Sequence, residues 1–356
     1  MVNARTTRAD ANPTLDSLLF DLPYDDPRWR ELIARDDRAS IYHDPEWSRL
    51  LADCYGYRPG VVGIAGSSGE LAAALPYVEV PWRPRRGWRV ALPFSDHVPP
   101  LAIDQASYRA LLEALVDRYS RPGASPFHLH ATLHSHDEAV TYGPSYWRHE
   151  VVVGPDRGAM FDRCDRTRVR QPLERSLAGD LEVEVATGVD EYYRLHRATR
   201  RRHGAIPQPP RFFTLLHERF IAPGHGAILL ARLGGVAVAG SVFVWNRARI
   251  EYKYNASDPI YWNRSPNHLL LWHGLIQGLE RGCRLLDLGR TDTHAEGLRV
   301  FKASWGGEES TLSYAVIGVG GAGRRSRIAD RVASVIGRLP GGIPVLAGRL
   351  LYKRLG

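Results

Sequence analysis

The residue best suited to chemistry in this chain is Lys302. Lysine and arginine together number 47, yet only Lys253, Lys302 and Lys353 are lysines. Where basic positions default to arginine, a lysine points to a task for a compact, strongly hydrated ammonium that a planar guanidinium does not perform. Lys302 lies in Gly297-Leu298-Arg299-Val300-Phe301-Lys302-Ala303-Ser304-Trp305-Gly306, soon after Asp287-Leu288-Gly289-Arg290. The competing reading is a surface lysine on a short amphipathic helix.

Three further groups could bind substrate. Arg290 and Asp292 follow a strand end, where α/β sheets often carry binding groups; the alternative is a salt bridge between them. Tyr254, Asn255 and Asp258 close another strand and Asn267 opens the next helix; a self-satisfied turn is the alternative. Arg200, Arg202 and His203 end a helix, where cations either favour the dipole or bind phosphate. His128 and His130 share a strand face in Phe127–His136, but no acidic third ligand follows at a fixed spacing, and no metal site is expected. The chain has no Gly-x-Ser-x-Gly elbow for a covalent nucleophile.

At 356 residues, about two domains are expected. With 44% hydrophobic and 24% charged residues the chain reads as globular. No apolar run reaches the roughly 18–20 residues of a membrane span. Three scattered cysteines without a Cys-x-x-Cys pair fit a reducing cytoplasm. The net charge of +8 is concentrated at Arg163–Arg175, Arg194–Arg202 and Arg324–Arg354, which favours a polyanionic partner.

Elements must then be found to hold these residues. Residues 1–12 read as a disordered leader. Residues 13–150 carry a helix over Pro45–Cys54, strands at Val61–Ala65, Leu71–Val80, Arg89–Pro93 and Phe127–Leu133, and a helix over Ser107–Arg118. Residues 151–317 carry a basic helix over Met160–Leu177, a strand at Leu181–Ala186, and helices Asp190–His203, with Asp190 as N-cap, and Arg211–Ile221. A hairpin follows around Gly234-Gly235, then strand Arg249–Asn255, helix Asn267–Arg281, strand Arg284–Leu288, the Lys302 helix and strand Thr311–Ile317. The two halves share this order, as a duplicated α/β unit would. Residues 318–356 form a basic tail with apolar helical stripes, which would pack on the core or lie on an anionic membrane from the cytoplasmic side.

Several stretches resemble the FemAB-like branch of the GNAT acyltransferases. They are His196–Gly204 running on to Phe213, Glu251-Tyr252-Lys253-Tyr254-Asn255-Ala256-Ser257-Asp258 with Ser265–Leu270, the Asp287–Gly306 stretch, Leu92-Pro93-Phe94-Ser95-Asp96, and the basic helix with Arg163, Arg166 and Arg170. The resemblance implies two tandem GNAT-like domains of α/β (α+β) class, each a mixed, mainly antiparallel sheet flanked by helices. It implies an enzyme that moves an acyl or aminoacyl group onto an amine of a cell-envelope or natural-product precursor, with Lys302 as the catalytic cation. No permanently bound cofactor is implied; the co-substrate would be aminoacyl-tRNA or acyl-CoA. Arg264-Ser265-Pro266-Asn267-His268-Leu269 lacks the glycines with which GNAT loops hold CoA pyrophosphate, which disfavours a standard CoA site. Two other readings stay open: an acyl-CoA-dependent N-acyltransferase for exopolysaccharide amino sugars, and a non-catalytic adaptor for envelope assembly.

Overall fold

The computed structural model describes residues 19–83, 86–133, 135 and 137–318; the expected leader, the basic tail, His134 and His136 lie outside the described residues. The first half contributes strands β1 (Leu19–Leu22), β2 (Arg58–Ala65), β3 (Leu71–Arg83), β4 (Arg86–Val90), β5 (Leu101–Ala102), β6 (Phe127–Leu129) and β7 (Val140–Val152). Its helices are α1 (Pro27–Arg35), α2 (Pro45–Tyr55) and α3 (Gln105–Tyr119). The second half adds β8 (Leu181–Val185), β9 (Gly226–Leu233), β10 (Val236–Trp245), β11 (Arg249–Ser257), β12 (Leu285–Asp292) and β13 (Glu308–Ile317). Its helices are α4 (Arg157–Arg163), α5 (Gln171–Leu177), α6 (Asp190–Arg202), α7 (Pro210–Leu216), α8 (Pro266–Glu280) and α9 (Glu296–Ala303).

Both halves build one 13-stranded sheet in the order β1-β2-β3-β4-β6-β13-β7-β12-β11-β10-β9-β8, with β5 on β3. Among the described strands only β4–β6 and β11–β12 pair in parallel. The two halves of the chain therefore share a single sheet. β13, last in the chain, returns between β6 and β7, pairing Ala315–Ile317 with β6 and Glu308–Ile317 with β7. The core is shared as well: Trp47 on α2 packs its ring 6.3 Å from Phe212 on α7 and 5.7 Å from Phe220. A second apolar cluster, including Phe243, Leu270 and Trp305, fills the space between α8, α9 and the sheet.

Local chemistry explains most boundaries. Gly234 and Gly235 both take positive φ, as a tight β9–β10 hairpin turn requires. Pro45 and Pro266 open their helices at the first turn, where a missing N–H costs nothing. Several expectations need correction. The strand expected over Arg284–Leu288 runs on to Asp292, so Arg290 and Asp292 lie within β12 and not beyond its end. The helix expected over Arg211–Ile221 ends at Leu216 and is followed by a π-turn over His217–Ile221. The basic helix over Met160–Leu177 is interrupted: α4 stops at Arg163, and Asp165 caps a separate π-turn at Arg166–Arg170 by accepting from the N–H groups of Thr167 and Arg168. Asp190 is not an N-cap; Val189 holds that position and Asp190 joins the first turn of α6. The strand expected over Phe127–Leu133 ends at Leu129. Among the described residues no helix is long and apolar enough to cross a membrane.

Candidate active site

β11 and β12 are joined by the α8 crossover and lie side by side only where Arg249–Glu251 meets Leu285–Asp287. Beyond that point they part. Two irregularities help: the β10 register shifts so that Lys253 on β11 stands opposite no partner, and β12 breaks its pairing with β7 between Asp287 and Arg290. Gly289 takes φ +70 at the second break, a conformation that costs glycine little. The wedge between the two strands is floored by charge.

Arg249, Glu251 and Lys253 follow at alternate positions and are all buried. From β7, Arg148 donates Nε and Nη2 to Asp287 Oδ2 at 2.9 and 2.5 Å, and pairs through Nη1 with Glu150 at 2.8 Å. Arg249 also bonds Glu150, and stands 3.6 Å from Asp287 and 3.8 Å from Glu251. Burial alone would raise the Asp287 pKa, but Arg148 and Arg249 hold it below the usual carboxylate value. Glu251 is pushed up to about 8, first by burial and then by the Asp287 charge. One carboxylate is thus ionised and its neighbour largely protonated at neutral pH.

Lys302 is the one fully buried residue of α9, at 5% exposure. Its Nζ donates to the carbonyl oxygens of Gly289 and Arg290 at 3.0 and 3.1 Å, just where β12 breaks. Burial lowers its pKa to about 8, against the pull of Asp96 and Asp287. It still carries its proton at neutral pH, and an ammonium has a third hydrogen to offer.

Asp96 comes from the first half and ends a strained turn, in which Leu92 and Phe94 take φ of 46° and 65°. Left-handed conformations cost a non-glycine residue about 1–3 kcal/mol each and persist where surrounding structure enforces them. The turn is anchored by Tyr314 Oη donating to the Asp96 carbonyl at 2.7 Å, and by His130 Nδ1 bonding the Ser95 carbonyl at 3.0 Å. The Asp96 carboxylate lies 3.5 Å from Lys253 Nζ and 3.8 Å from Arg290 Nε, with 23% of the side chain exposed. The Lys253 ammonium is enclosed by the rings of Tyr42, Trp47 and Tyr254 at 5.0, 5.9 and 5.1 Å. Arg290 lies over Tyr146 and Tyr314 at 4.5 and 5.3 Å.

The expected site residues fall into three groups. Lys302 and Arg290 meet at the break in β12, where Arg290 faces Asp96; Asp292 is exposed at the end of β12 and makes no ion pair with Arg290 among the described residues. Tyr254, Asn255 and Asn267 line the free arm of β11: Asn255 Nδ2 donates to Ser241 Oγ and Asn267 Oδ1 at 3.1 and 3.2 Å, and Asn267 Nδ2 donates to Ser257 Oγ at 3.3 Å. Asp258 caps the 3₁₀ turn that follows by accepting from Ile260 N–H. Arg200 is turned onto its own loop, donating twice to the Ile206 carbonyl, while Arg202 bonds the Ser257 carbonyl and lies over Trp262. His203 is exposed, with a pKa lowered by partial burial and then by Arg202 and Arg200.

Sequence reasoning passed over Asp96, Glu251, Lys253 and Arg148 as site residues. Lys253 was findable, being another of three lysines. So was the alternation Arg249, Glu251, Lys253, which puts three charges on one strand face. Nothing local marks Arg148, whose partners arrive only through long-range pairing.

Residues 164–302 match the acetyltransferase (GNAT) domain family. No curated protein matches the chain in sequence. Among solved structures the fold resembles that of FemX, at 12% identity and a TM-score of 0.64 over 83% of this chain and 96% of that one. It also resembles L-PGS from Bacillus licheniformis, at 12% identity and a TM-score of 0.52 over 94% and 97% of the two chains. A tandem GNAT protein from the clavulanic acid biosynthesis pathway matches at 12% identity and a TM-score of 0.51, over 86% of this chain and 100% of that one.

Proposed function

From the premise that this chain carries a GNAT acyltransferase domain in a FemAB-like tandem fold, we propose that it transfers an aminoacyl group from aminoacyl-tRNA to an amine of a cell-envelope or natural-product precursor. The observation that carries this reading is the buried Lys302 ammonium at the break in β12, beside the Asp96 carboxylate and at the mouth of the β11–β12 wedge.

The chemistry follows from the groups present. The acceptor amine attacks the acyl carbonyl carbon, a C–N bond forms and the ester C–O bond to the donor breaks. Lys302 supplies positive charge and a free N–H to the oxygen on which negative charge develops. Asp96 takes the proton that the amine sheds. Glu251 and Asp287 are nearly inaccessible; Glu150 is as exposed as Asp96 but is bonded closely by Arg148 and Arg249, whereas the cations beside Asp96, Lys253 and Arg290, stand farther off at 3.5 and 3.8 Å. The departing donor oxygen receives that proton. Arg290, Tyr254, Asn255 and Asn267 then serve to position substrate along the wedge. The division into units at residues 13–150 and 151–317 belongs to the same proposal, with Asp96 supplied by the first unit and Lys302 by the second.

The start of α8 supports RNA over CoA as donor. Pro266 has no N–H, and the N–H groups of His268 and Leu269 both point back to the Ser265 carbonyl. Ser265 itself is left-handed, at φ +56. A pyrophosphate cradle of several free backbone donors is therefore missing. The test is transfer of a radiolabelled aminoacyl group from charged tRNA to lysine-bearing peptidoglycan-precursor peptides and amino-sugar precursors, with and without RNase, beside an acyl-CoA arm. Transfer abolished by RNase is expected. RNase-resistant transfer that requires acyl-CoA would replace this reading with the CoA-dependent one.

A further inference from the structure

The π-turn that interrupts the basic segment forms one side of a cleft of about 320 Å³ lined by Arg166, Arg170, Gln171 and Glu174. A π-turn is rare and tends to mark functional positions. Of the neighbouring arginines, Arg163 is occupied, donating to the Val152 carbonyl at 2.8 Å, and Arg168 stands 3.7 Å from Asp165. The cleft arginines are held no more firmly than Arg168. The Arg166 side chain makes no ion pair or hydrogen bond among the described residues, although its carbonyl accepts from the Gln171 N–H. Arg170 has Asp162 at 3.7 Å, a Phe161 ring at 5.8 Å and a buried Nε without a partner.

We propose that this cleft holds one ribose-phosphate unit of an RNA backbone, so that the inference rests on the RNA-donor reading above. The free Arg166 guanidinium and that of Arg170, whose ion pair with the exposed Asp162 is a loose 3.7 Å, suit one phosphate, because their planar forks match its oxygens. A bare phosphate would be repelled by Glu174, which also lines the cleft. A ribose phosphate brings its own answer: the 2′-hydroxyl donates to the Glu174 carboxylate, while the Gln171 amide serves either neighbour. The cleft therefore reads RNA as distinct from DNA.

The cleft is tied to the site. Asp165 N–H donates to the Ser304 carbonyl at 2.8 Å, directly after α9. The Arg168 carbonyl bonds His268 Nε2 at 2.9 Å, and the His268 ring lies 5.1 Å from Phe301 and 6.2 Å from Trp305, on either side of Lys302 in sequence. RNA held by the turn is thereby registered against the helix that carries the lysine.

The experiment measures binding of the full chain to a fluorescent RNA hairpin shaped as an acceptor stem with a CCA end, and to DNA of the same sequence, between about 50 and 200 mM salt. The wild-type chain should prefer RNA. Arg166→Ala with Arg170→Ala should lower the slope of log affinity against log salt by about one, the loss of one phosphate contact. Glu174→Ala should bring RNA affinity down toward that of DNA. Arg166 and Glu174 are exposed, so Arg166→Ala and Glu174→Ala alone keep the test valid if the Arg170 variant does not fold. A wild-type slope in the arginine variants, or an unchanged RNA-to-DNA ratio in Glu174→Ala, overturns the assignment. Aminoacyl-tRNA-dependent transfer by the wild type beside such a result would remove the cleft alone and leave the donor reading standing. Transfer that needs acyl-CoA and ignores RNase removes the donor reading itself.

Discussion

Lys302 Nζ donates to the Gly289 carbonyl at 3.0 Å, and Gly289 is also the residue that leaves room for Asp96: a Cβ built there would lie 2.8 Å from Asp96 Oδ2. One glycine thus fixes both the lysine and the carboxylate of the site. It bends β12 so that its carbonyl reaches the ammonium, and it lets a turn from the other half of the chain close over the bend.

Gly289→Ala tests this relationship. The φ of +70 would cost alanine about 1–2 kcal/mol, and the new methyl group would displace Asp96. Stability measured in denaturant should fall by about 1–3 kcal/mol, and turnover should fall by more than the fraction unfolded explains. Full turnover in a folded variant would show that the Asp96 position is immaterial.

Arg148→Ala removes the cation that bonds the buried Asp287 at 2.5 and 2.9 Å. Breaking a buried pair from one side costs about 3–5 kcal/mol, because the remaining charge is stranded. Arg249 stands farther from Asp287, at 3.6 Å, and offsets only part of this. A loss under about 1 kcal/mol, the range of exposed pairs, would mean that the cluster is more solvated than its burial indicates.

The legible parts of this fold were those with local causes. The Gly234-Gly235 hairpin, α8 ended by Gly282, and the short Lys302 helix all carry their own turn or period signals. β7 went unread although it lies near the centre of the sheet. Its Gly143-Pro144 pair reads as a break, and its Trp147, Arg148 and Glu150 find partners only when β12 and β13 arrive. The site divides the same way. Lys302 is visible because lysine is scarce, whereas Asp96 becomes a site residue only when the fold sets it against Lys253 and Arg290.

Glu251 gives a pH signature in stability. Its folded pKa is about 8, against an ordinary value of 4.5. The folded chain therefore keeps a proton that the unfolded chain has already lost. This contribution is fully present below pH about 4.5 and is lost as pH rises through about 8, on the order of 5 kcal/mol at most. Glu251→Gln should flatten the decline between those limits. A variant with the wild-type pH–stability profile would place the coupled proton elsewhere in the cluster.

Lys302 gives the complementary signature in rate. Burial sets its pKa near 8, so the ammonium is lost as pH rises through that value. Turnover measured on the chemical step should fall tenfold for each pH step above about 8. A rate that keeps rising to pH 10 would show that the neutral amine suffices.

The most direct test of the account is single-turnover aminoacyl transfer by Lys302→Ala beside the wild-type chain, with folding verified by thermal unfolding. Loss of a preorganised cation at a developing oxyanion predicts a rate lower by roughly 10²-fold or more, with donor binding little changed. Transfer at the wild-type rate by the folded variant would contradict the central claim that the buried ammonium drives the reaction.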